Sequence, residues 1–259
     1  MTATTLHAET VGHGPRLVMA HGFTQTGRVW GSIDDNLASD HQVVRVDMPG
    51  HAGSSSVRVG LVDGALALGG VGGRASYLGY SMGARFCLHL ALARPDLVES
   101  LVLISGTAGI DAAAERQQRR VSDGALADEL DPASGDGVAL PVETFVRRWL
   151  NAPLFAGVSP GADGFDQRLR NTGAGLASSL RLAGTGTQRP LWEILGRLSM
   201  PVLIISGAMD EKFTALGSRM AEAIGANATR AVVPGAGHAP HLQRPDEVVT
   251  LVRAHLGPA

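Results

Sequence analysis

The sequence predicts an α/β fold, in which helices cover both faces of a mostly parallel β-sheet. Short runs of β-branched and aliphatic residues recur along the 259-residue chain, and glycine-rich loops and helical patterns follow them. Hydrophobic residues make up 44% of the chain and charged residues 18%. This composition is typical of a globular chain long enough to bury a full core.

Six of these runs are predicted to be strands buried on both faces. They are residues 16–20, 42–47, 75–80, 101–105, 201–207 and 229–234. Because helical patterns separate the runs, we expect parallel strands joined by right-handed crossovers. The alternating sequence TTLHAETVG, residues 4–12, predicts an antiparallel strand at one edge of the sheet.

No run that is typical of a buried strand occurs between residues 105 and 201. This segment instead contains four helical patterns, which are broken by proline and glycine. These patterns are residues 112–130, 141–150, 165–182 and 190–198. We interpret residues 107–192 as a helical cap inserted over the carboxyl edge of a core formed by residues 1–106 and 193–259. Before the third buried run, the glycine-rich residues 57–74 predict a short or loose helix.

Charge and cysteine content exclude several classes of protein. A formal net charge of −2 gives no reason to expect nucleic acid or an anionic membrane as a partner. The single cysteine, Cys87, allows no internal disulfide and no thiol cluster, and no metal or cofactor is predicted. No signal peptide or run of eighteen apolar residues is apparent. We therefore expect a cytoplasmic protein without a membrane span, and no oligomeric state is predicted.

The sequence GYSMG, residues 79–83, is the first chemical motif. A predicted strand precedes it and a helical pattern follows it, which is the setting that a G-x-S-x-G nucleophile turn requires. Small residues on both sides of the serine avoid collisions in such a turn. Ser81 is therefore the predicted reactive residue, held above the sheet at the positive end of the next helix.

A serine hydroxyl needs a histidine to accept its proton, and the histidine needs a carboxylate to orient it. Asp210 follows the predicted strand at 201–207, and His238 follows the last predicted strand. Their order along the chain, serine, aspartate, histidine, is the one that this topology requires. Asp111 remains an alternative acid, although it begins the helical insertion.

The other candidate side chains receive structural interpretations. His241 is interpreted as a surface or capping residue, His89 as packed within the helix after Ser81, and His51 as shaping a loop. Cys87 is interpreted as a small buried hydrophobe rather than a second nucleophile. Negative charge on a substrate oxygen needs preorganised donors, and the backbone N–H groups of Phe23 and Met82 are the predicted pair.

These residues lie in motifs that resemble the α/β-hydrolase superfamily over essentially the whole chain. Within it, the sequence is similar to the 2-succinyl-6-hydroxy-2,4-cyclohexadiene-1-carboxylate synthases of menaquinone biosynthesis. The shared core motifs are HGFTQTGRVW, DMPGHAGS, GYSMGAR and GAMDEKF, and the shared cap motifs are ERQQRR, RRWLNAPLFA and LRNTGAGLASSLRLAGTGTQRPLW. Hydrolase subfamilies differ most in the insertion, so the cap motifs are the more specific ones.

The resemblance implies an elimination rather than a hydrolysis. The substrate of these synthases carries three carboxylates, and the enzyme removes an α-proton and expels pyruvate. Ser81, deprotonated with help from His238, would then be the base, Asp210 would orient His238, and the two amides would hold an enolate.

The resemblance also implies which side chains bind this small polycarboxylate. Arg85, Arg119 and Arg170 match arginines of the family, and guanidinium groups suit carboxylates because they donate two parallel hydrogen bonds. Arg116 and Arg120 remain alternatives to Arg119, since the helical register there is open. Tyr80 and Trp149 match family pocket positions, and aromatic packing between cap and core is the alternative for both.

Two other functions are the alternatives to this elimination. A serine hydrolase, either a carboxylesterase or a C–C bond hydrolase, would employ the same triad. A binding protein without activity would not need a complete triad. The position of the arginines relative to Ser81 separates the lyase from the hydrolase.

Overall fold

A computed structural model describes residues 5–132 and 137–257. The ends of the predicted core, residues 1–4 and 258–259, and residues 133–136 of the predicted cap therefore lie outside the described residues. The described strands are β1 (Ala8–Val11), β2 (Arg16–Ala20), β3 (Gln42–Val46), β4 (Ala75–Tyr80), β5 (Val98–Ile104), β6 (Val202–Gly207) and β7 (Ala228–Val233).

These strands form one sheet in the order β1-β3-β2-β4-β5-β6-β7. The β1–β3 pair is antiparallel and the other pairs are parallel. The predicted α/β fold is thus confirmed, including the antiparallel edge strand. One detail of the prediction is wrong: β7 is not buried on both faces, because it is the other edge of the sheet, and only Val233 of this strand is buried.

Helices cover both faces of the sheet. They are α1 (Ile33–Leu37), α2 (Leu61–Gly72), α3 (Met82–Ala93), α4 (Ala113–Leu130), α5 (Val142–Leu150), α6 (Phe165–Arg168), α7 (Gly173–Ala183), α8 (Glu211–Ile224), α9 (Pro240–Gln243) and α10 (Pro245–Leu256). Among residues 5–132 and 137–257, no helix combines the length and hydropathy that crossing a bilayer requires.

Two hydrophobic layers follow from the alternation of side chains along each strand. In β4, Tyr77 packs into the layer beneath α2, α3 and α8, whereas its neighbour Leu78 packs into the layer beneath α1 and α10. Because the central strands are covered on both sides, their sequences are continuous apolar runs rather than alternating ones. The carboxyl ends of the parallel strands meet at one edge.

Between β5 and β6 the described chain forms helices and no strand. Helices α4, α5 and α7 share a small apolar cluster of their own, which includes Leu130, Phe145 and Leu176. Phe23, from the loop after β2, and Trp149 pack against this cluster. The helical segment is therefore joined to the sheet through the loop that follows β2. The boundaries of the cap at residues 107 and 192 remain a prediction.

The glycine-rich segment before β4 forms a regular helix. Helix α2 runs without interruption for 12 residues, so the expectation of a loose helix is wrong. A Cβ on Gly64 would lie 2.5 Å from a ring carbon of Phe86, and a Cβ on Gly72 would lie 2.3 Å from the hydroxyl of Tyr77. The glycines thus allow α2 to approach its neighbours closely.

Two glycines of α2 give a matched test of this explanation. Gly70 is exposed and has no heavy atom within 4 Å of an added Cβ. Gly70→Ala should therefore raise the free energy of unfolding by about 0.5–1 kcal/mol through helix propensity. Gly64→Ala should lower it by about 1–3 kcal/mol, because the buried Phe86 ring has no room to move. Urea unfolding would measure both changes, and equal stabilisation by the two substitutions would contradict the packing argument.

Candidate active site

Ser81 lies on a sharp turn between β4 and α3. Its φ is +51°, in the left-handed region that residues with a side chain rarely occupy. The flanking glycines permit the turn: a Cβ on Gly79 would lie 2.6 Å from Ala84, and a Cβ on Gly83 would lie 1.9 Å from the carbonyl oxygen of Ala20. The turn holds the Ser81 hydroxyl at the carboxyl edge of the sheet and the N-terminus of α3.

The structure brings Ser81, Asp210 and His238 together. Nε2 of His238 lies 3.2 Å from Oγ of Ser81, and Nδ1 of His238 lies 2.8 Å from Oδ2 of Asp210. Asp210 precedes α8, and its Oδ1 accepts a hydrogen bond of 3.2 Å from the N–H of Phe213. The Phe213 ring lies against the imidazole, with ring centroids 4.4 Å apart.

The electrostatics of Asp210 favour its charged form. Burial acts to raise the pKa of this carboxyl, but the hydrogen bonds from His238 and from the Phe213 N–H outweigh it, so the pKa lies below its usual value. A charged carboxylate accepts a hydrogen bond from the Nδ1–H group of His238 and so favours the tautomer in which Nε2 can accept the Ser81 proton. The three residues therefore have the geometry of a proton-accepting triad.

Asp111, the alternative acid, lies elsewhere. Its Oδ2 is 2.5 Å from Nη1 of Arg219, and both side chains are about half exposed. The Arg219 guanidinium also stacks on the ring of Trp192, at 3.8 Å from the centroid. Asp111 is thus an ion-pair partner at the wall of the cavity described below, and Asp210 holds the position next to the histidine.

His241 is not the surface or capping residue that we expected. It is fully buried, with ring centroids 4.2 Å from Tyr80 and 5.4 Å from Trp30. Burial lowers its pKa to about 3, so it is neutral at ordinary pH. The sequence did not predict the burial of His241 because the helix that carries this residue has only four residues, which are too few to show a hydrophobic pattern. His51 is buried as well, and its Nε2 accepts the N–H of Thr24 at 3.3 Å.

A cavity of about 610 Å³ opens above Ser81, between the sheet and the cap helices. Arg85, one helical turn beyond Ser81, lines this cavity and is only 6% exposed. Its Nη1 donates to the carbonyl oxygen of Ala183 at 2.8 Å, and it forms no salt bridge with a described residue. Burial, with a smaller contribution from the nearby Arg119, lowers the pKa of Arg85 to about 10. The guanidinium therefore stays charged.

The three neighbouring arginines of α4 have different surroundings. Arg119 lines the cavity, and its Nε donates to Oδ1 of Asp123 at 2.8 Å. Arg116 donates to backbone carbonyl oxygens at the start of the cap, and Arg120 donates to Gln117 on the exposed side of the helix. Of the three alternatives, Arg119 is the one on the cavity wall.

Arg170 is not among the residues that line the cavity, so its role as a binding residue stays a prediction that the cavity does not support. It is exposed, and its Nη1 donates to Oε1 of Gln167 at 3.5 Å. Arg168, two residues earlier, is completely buried and donates to Thr24 and to the carbonyl oxygen of Phe23. The short helix α6 ends at Arg168, and Arg170, which the family resemblance implied as a binding residue, lies two residues beyond this end.

The two predicted aromatic residues also differ. Trp149 lines the cavity and packs against Phe23, with ring centroids 5.1 Å apart. Tyr80 is not among the residues that line the cavity, and its role as a binding residue stays a prediction. Its ring lies behind the triad, 5.6 Å from the ring of His238. As the last residue of β4, it supports the histidine from within the core.

The backbone amides of Phe23 and Met82 lie in the loop after β2 and in the first turn of α3. Both residues line the cavity beside Ser81. No described hydrogen bond uses either N–H group. Two such donors near the serine match the requirement for stabilising an oxyanion.

The sequence reasoning missed three polar side chains. Lys212 lines the cavity two residues after Asp210, and Asp123 lies on its wall four residues after Arg119. The motif GAMDEKF contains the lysine, and the four-residue spacing on one helix face could have indicated the Arg119–Asp123 pair. Nothing in the helical pattern distinguished Arg168 from Arg170.

Comparisons with known proteins agree with this architecture. A family model described as an alpha/beta hydrolase family matches residues 17–251. A 2-succinyl-6-hydroxy-2,4-cyclohexadiene-1-carboxylate synthase of Salmonella agona (strain SL483) is 29% identical over 91% of this chain and 91% of its own length. A Bacillus subtilis (strain 168) protein, named as a candidate for the same enzyme, is 33% identical over 88% of this chain and 85% of its own length. The solved structure of MenH from S. aureus has a TM-score of 0.86 and 29% identity, and covers 99% of this chain and 98% of that one.

Substitution of the two aspartates would test the assignment of the acid. Asp210→Asn should slow the reaction of Ser81 with a fluorophosphonate probe by about 10³–10⁴-fold, since an amide donor at this position stabilises the wrong tautomer of His238. The labelling rate, followed by intact-protein mass spectrometry, would measure the effect. Asp111→Asn is the matched control, and we expect a change within about twofold because it removes only an exposed ion pair. Equal effects of the two substitutions would contradict the assignment.

Proposed function

Because the chain belongs to the alpha/beta hydrolase family, we propose that it is a 2-succinyl-6-hydroxy-2,4-cyclohexadiene-1-carboxylate synthase of menaquinone biosynthesis. Such an enzyme is a carbon–oxygen lyase. Its substrate is a hydroxycyclohexene that carries a succinyl carboxylate, a ring carboxylate and an enolpyruvyl carboxylate. The reaction removes an α-proton and releases pyruvate.

The proposed mechanism uses each member of the triad. His238 accepts the proton of the Ser81 hydroxyl, and the resulting oxyanion removes the proton on the carbon next to the succinyl ketone. The electron pair moves through the ring and breaks the carbon–oxygen bond to the enolpyruvyl group. The departing enolpyruvate takes up a proton on carbon and becomes pyruvate, so proton loss and gain balance and no water is consumed.

Three groups of the site would stabilise the charges that develop in this reaction. The N–H groups of Phe23 and Met82 would hold the oxygen of the enolate, where negative charge develops. Asp210 would keep the His238 imidazole in the tautomer that accepts the Ser81 proton and would stabilise the imidazolium. In this reaction Ser81 is a base and forms no acyl intermediate.

The observation that carries the proposal is the buried Arg85 guanidinium. A buried charge is unfavourable unless a partner accompanies it. Among the described residues, this one has only a backbone carbonyl oxygen as its hydrogen-bond acceptor; the buried Asp123 carboxylate favours its charge from nearby but forms its salt bridge with Arg119. A carboxylate of the substrate would supply the missing partner. A pocket for a neutral ester would gain nothing from this charge.

A second cation on the cavity wall also has no carboxylate partner among the described residues. Lys212 lines the cavity on the side of α8 and forms no salt bridge within the described residues. The remaining pairs are Arg119 with Asp123, Arg219 with Asp111, and His238 with Asp210, and Glu115 on the same wall forms no salt bridge with a described residue. We propose that Arg85 and Lys212 bind different carboxylates of one substrate, with Arg119 and the Trp149 ring completing the site.

A serine hydrolase acting through an acyl-enzyme is the second candidate, since it would use the same triad and the same two amides. The cavity wall also contains apolar side chains such as Leu154 and Leu216. An ester substrate with an apolar acyl group would fit them. The relatives that carry the synthase name are bacterial, and we propose that this reaction takes place in the cytoplasm.

Pyruvate release from the purified intermediate would test the proposed reaction. The wild-type protein should release one pyruvate per substrate, followed through lactate dehydrogenase and NADH oxidation. Ser81→Ala should reduce the rate by about 10⁴-fold or more, since it removes the base. If the wild-type protein releases no pyruvate but hydrolyses carboxylic esters efficiently, the second candidate is correct.

Two arginine substitutions would test the role of the cavity charge. Arg85→Ala should reduce kcat/KM for the tricarboxylate by about 10²-fold or more, because it leaves a substrate carboxylate unpaired in a buried site. Arg170→Ala is the matched control, and its exposed side chain predicts a change within about twofold. Steady-state kinetics of pyruvate release would measure both. Unchanged kinetics for Arg85→Ala would contradict the lyase assignment.

A further inference from the structure

We propose that Asn171, in the cap, is a positioning residue for the loop that carries the Phe23 amide. This loop comprises residues 21–26. The inference concerns the same site and rests on the proposed function for its kinetic readout. It assigns to the cap a role beyond lining the cavity: the cap sets the position of a hydrogen-bond donor in the core.

Two of the residues that are hydrogen-bonded to Asn171, Thr24 and Ala52, have unusual backbone conformations. Four non-glycine residues of the described chain have a positive φ: Thr24 at 65°, Ala52 at 37°, Ser81 at 51° and Ser105 at 47°. Such conformations persist only where the surrounding structure holds them. Ser81 and Ser105 each follow a central strand, whose hydrogen bonds hold them. Thr24 and Ala52 lie in loops after β2 and β3, so they need another source of support.

The side chain of Asn171 supplies that support to both. Its Nδ2 donates to the carbonyl oxygen of Thr24 at 2.7 Å and to that of Arg168 at 2.9 Å. Its Oδ1 accepts the backbone N–H of Ala52 at 3.0 Å. The residue is only 5% exposed. One amide therefore joins the cap to two strained loops of the core, and both ends of the amide are used.

The other polar groups of Thr24 are held as well. Its N–H donates to Nε2 of His51 at 3.3 Å, and its hydroxyl accepts a hydrogen bond from Arg168. Arg168 also donates to the carbonyl oxygen of Phe23 at 3.5 Å. Thr24 is completely buried. Fixing both of its peptide groups limits the rotation of the preceding residue, Phe23, which lines the cavity together with Ser81.

Asn171, Arg168 and His51 all form hydrogen bonds with Thr24. Of these three residues, Asn171 can be substituted with the least direct effect on the charges and rings of the site. Arg168 carries a buried charge, and His51 contacts the ring of Phe23, with centroids 5.7 Å apart. The Asn171 amide is neutral, and Asn171→Asp preserves its shape. The aspartate keeps an acceptor for the Ala52 N–H but cannot donate to the carbonyl oxygens of Thr24 and Arg168, so it removes the donated hydrogen bonds and keeps the accepted one.

Ala52 offers a way to separate positioning from stability. Glycine accepts a positive φ without strain, so Ala52→Gly should raise Tm by about 2 °C. In combination with Asn171→Ala, it should recover most of the lost Tm. If Asn171 acts only as a structural support for the turn, the double substitution should recover activity too.

The experiment compares Asn171→Ala, Asn171→Asp, Ala52→Gly and the double variant Asn171→Ala/Ala52→Gly with the wild-type protein. The readouts are Tm, the kcat and KM of pyruvate release, and the rate of Ser81 labelling by a fluorophosphonate, whose phosphoryl oxygen uses the same amide donors. Both Asn171 variants should lose about 10²-fold in kcat with KM within about threefold, because displacement of a donor affects the transition state more than binding. The double variant should recover Tm and not kcat.

The control is Asn151→Ala, an exposed asparagine of the cap, for which no change is expected. Unchanged kcat in Asn171→Ala, or recovery of kcat together with Tm in the double variant, would overturn the inference. If Asn171→Ala does not fold, Asn171→Asp and the double variant give the same comparison. If the wild-type protein releases no pyruvate, the proposed function fails, and the labelling rates still decide the role of Asn171.

Discussion

Burial of a guanidinium beside a reactive serine is unfavourable unless an anion accompanies it, and Arg85 is in this position. Its side chain is 6% exposed and its pKa is lowered to about 10, with burial as the main cause. The charge is therefore retained but incompletely compensated within the protein. In the proposed function, the rest of the site is arranged around this charge: the triad supplies the base, and the Arg85 cation selects anionic substrates.

The core and the cap contribute different parts of this arrangement. The parallel sheet brings Ser81, Asp210 and His238 to one edge, because each residue follows the carboxyl end of a strand. The cap contributes Arg119 and Trp149 to the cavity wall. Through Asn171 and Arg168 it also contacts the loop that carries an oxyanion donor. In the proposed function, the same insertion therefore affects both substrate binding and the geometry of catalysis.

The sequence was sufficient to predict the order of the strands along the chain and the three residues that lie together at the edge of the sheet. Buried parallel strands are continuous apolar runs, and the glycine spacing around Ser81 leaves few alternatives to a nucleophile turn. The cap side chains were harder to predict. Arg168 and Arg170 are two residues apart in a segment where a four-residue helix ends, so a helical pattern could not determine which arginine is buried. The burial of His241 likewise depends on tertiary contacts with Tyr80 and Trp30, which no local pattern records.

The most direct test of the account is the affinity of the Ser81→Ala protein for the tricarboxylate intermediate and for its neutral trimethyl ester, measured by isothermal titration calorimetry. Ser81→Ala prevents turnover, so binding is observed alone. A cavity organised around unpaired cations should bind the tricarboxylate at least about 100-fold more tightly than the ester. Equal affinity, or tighter binding of the ester, would contradict the account.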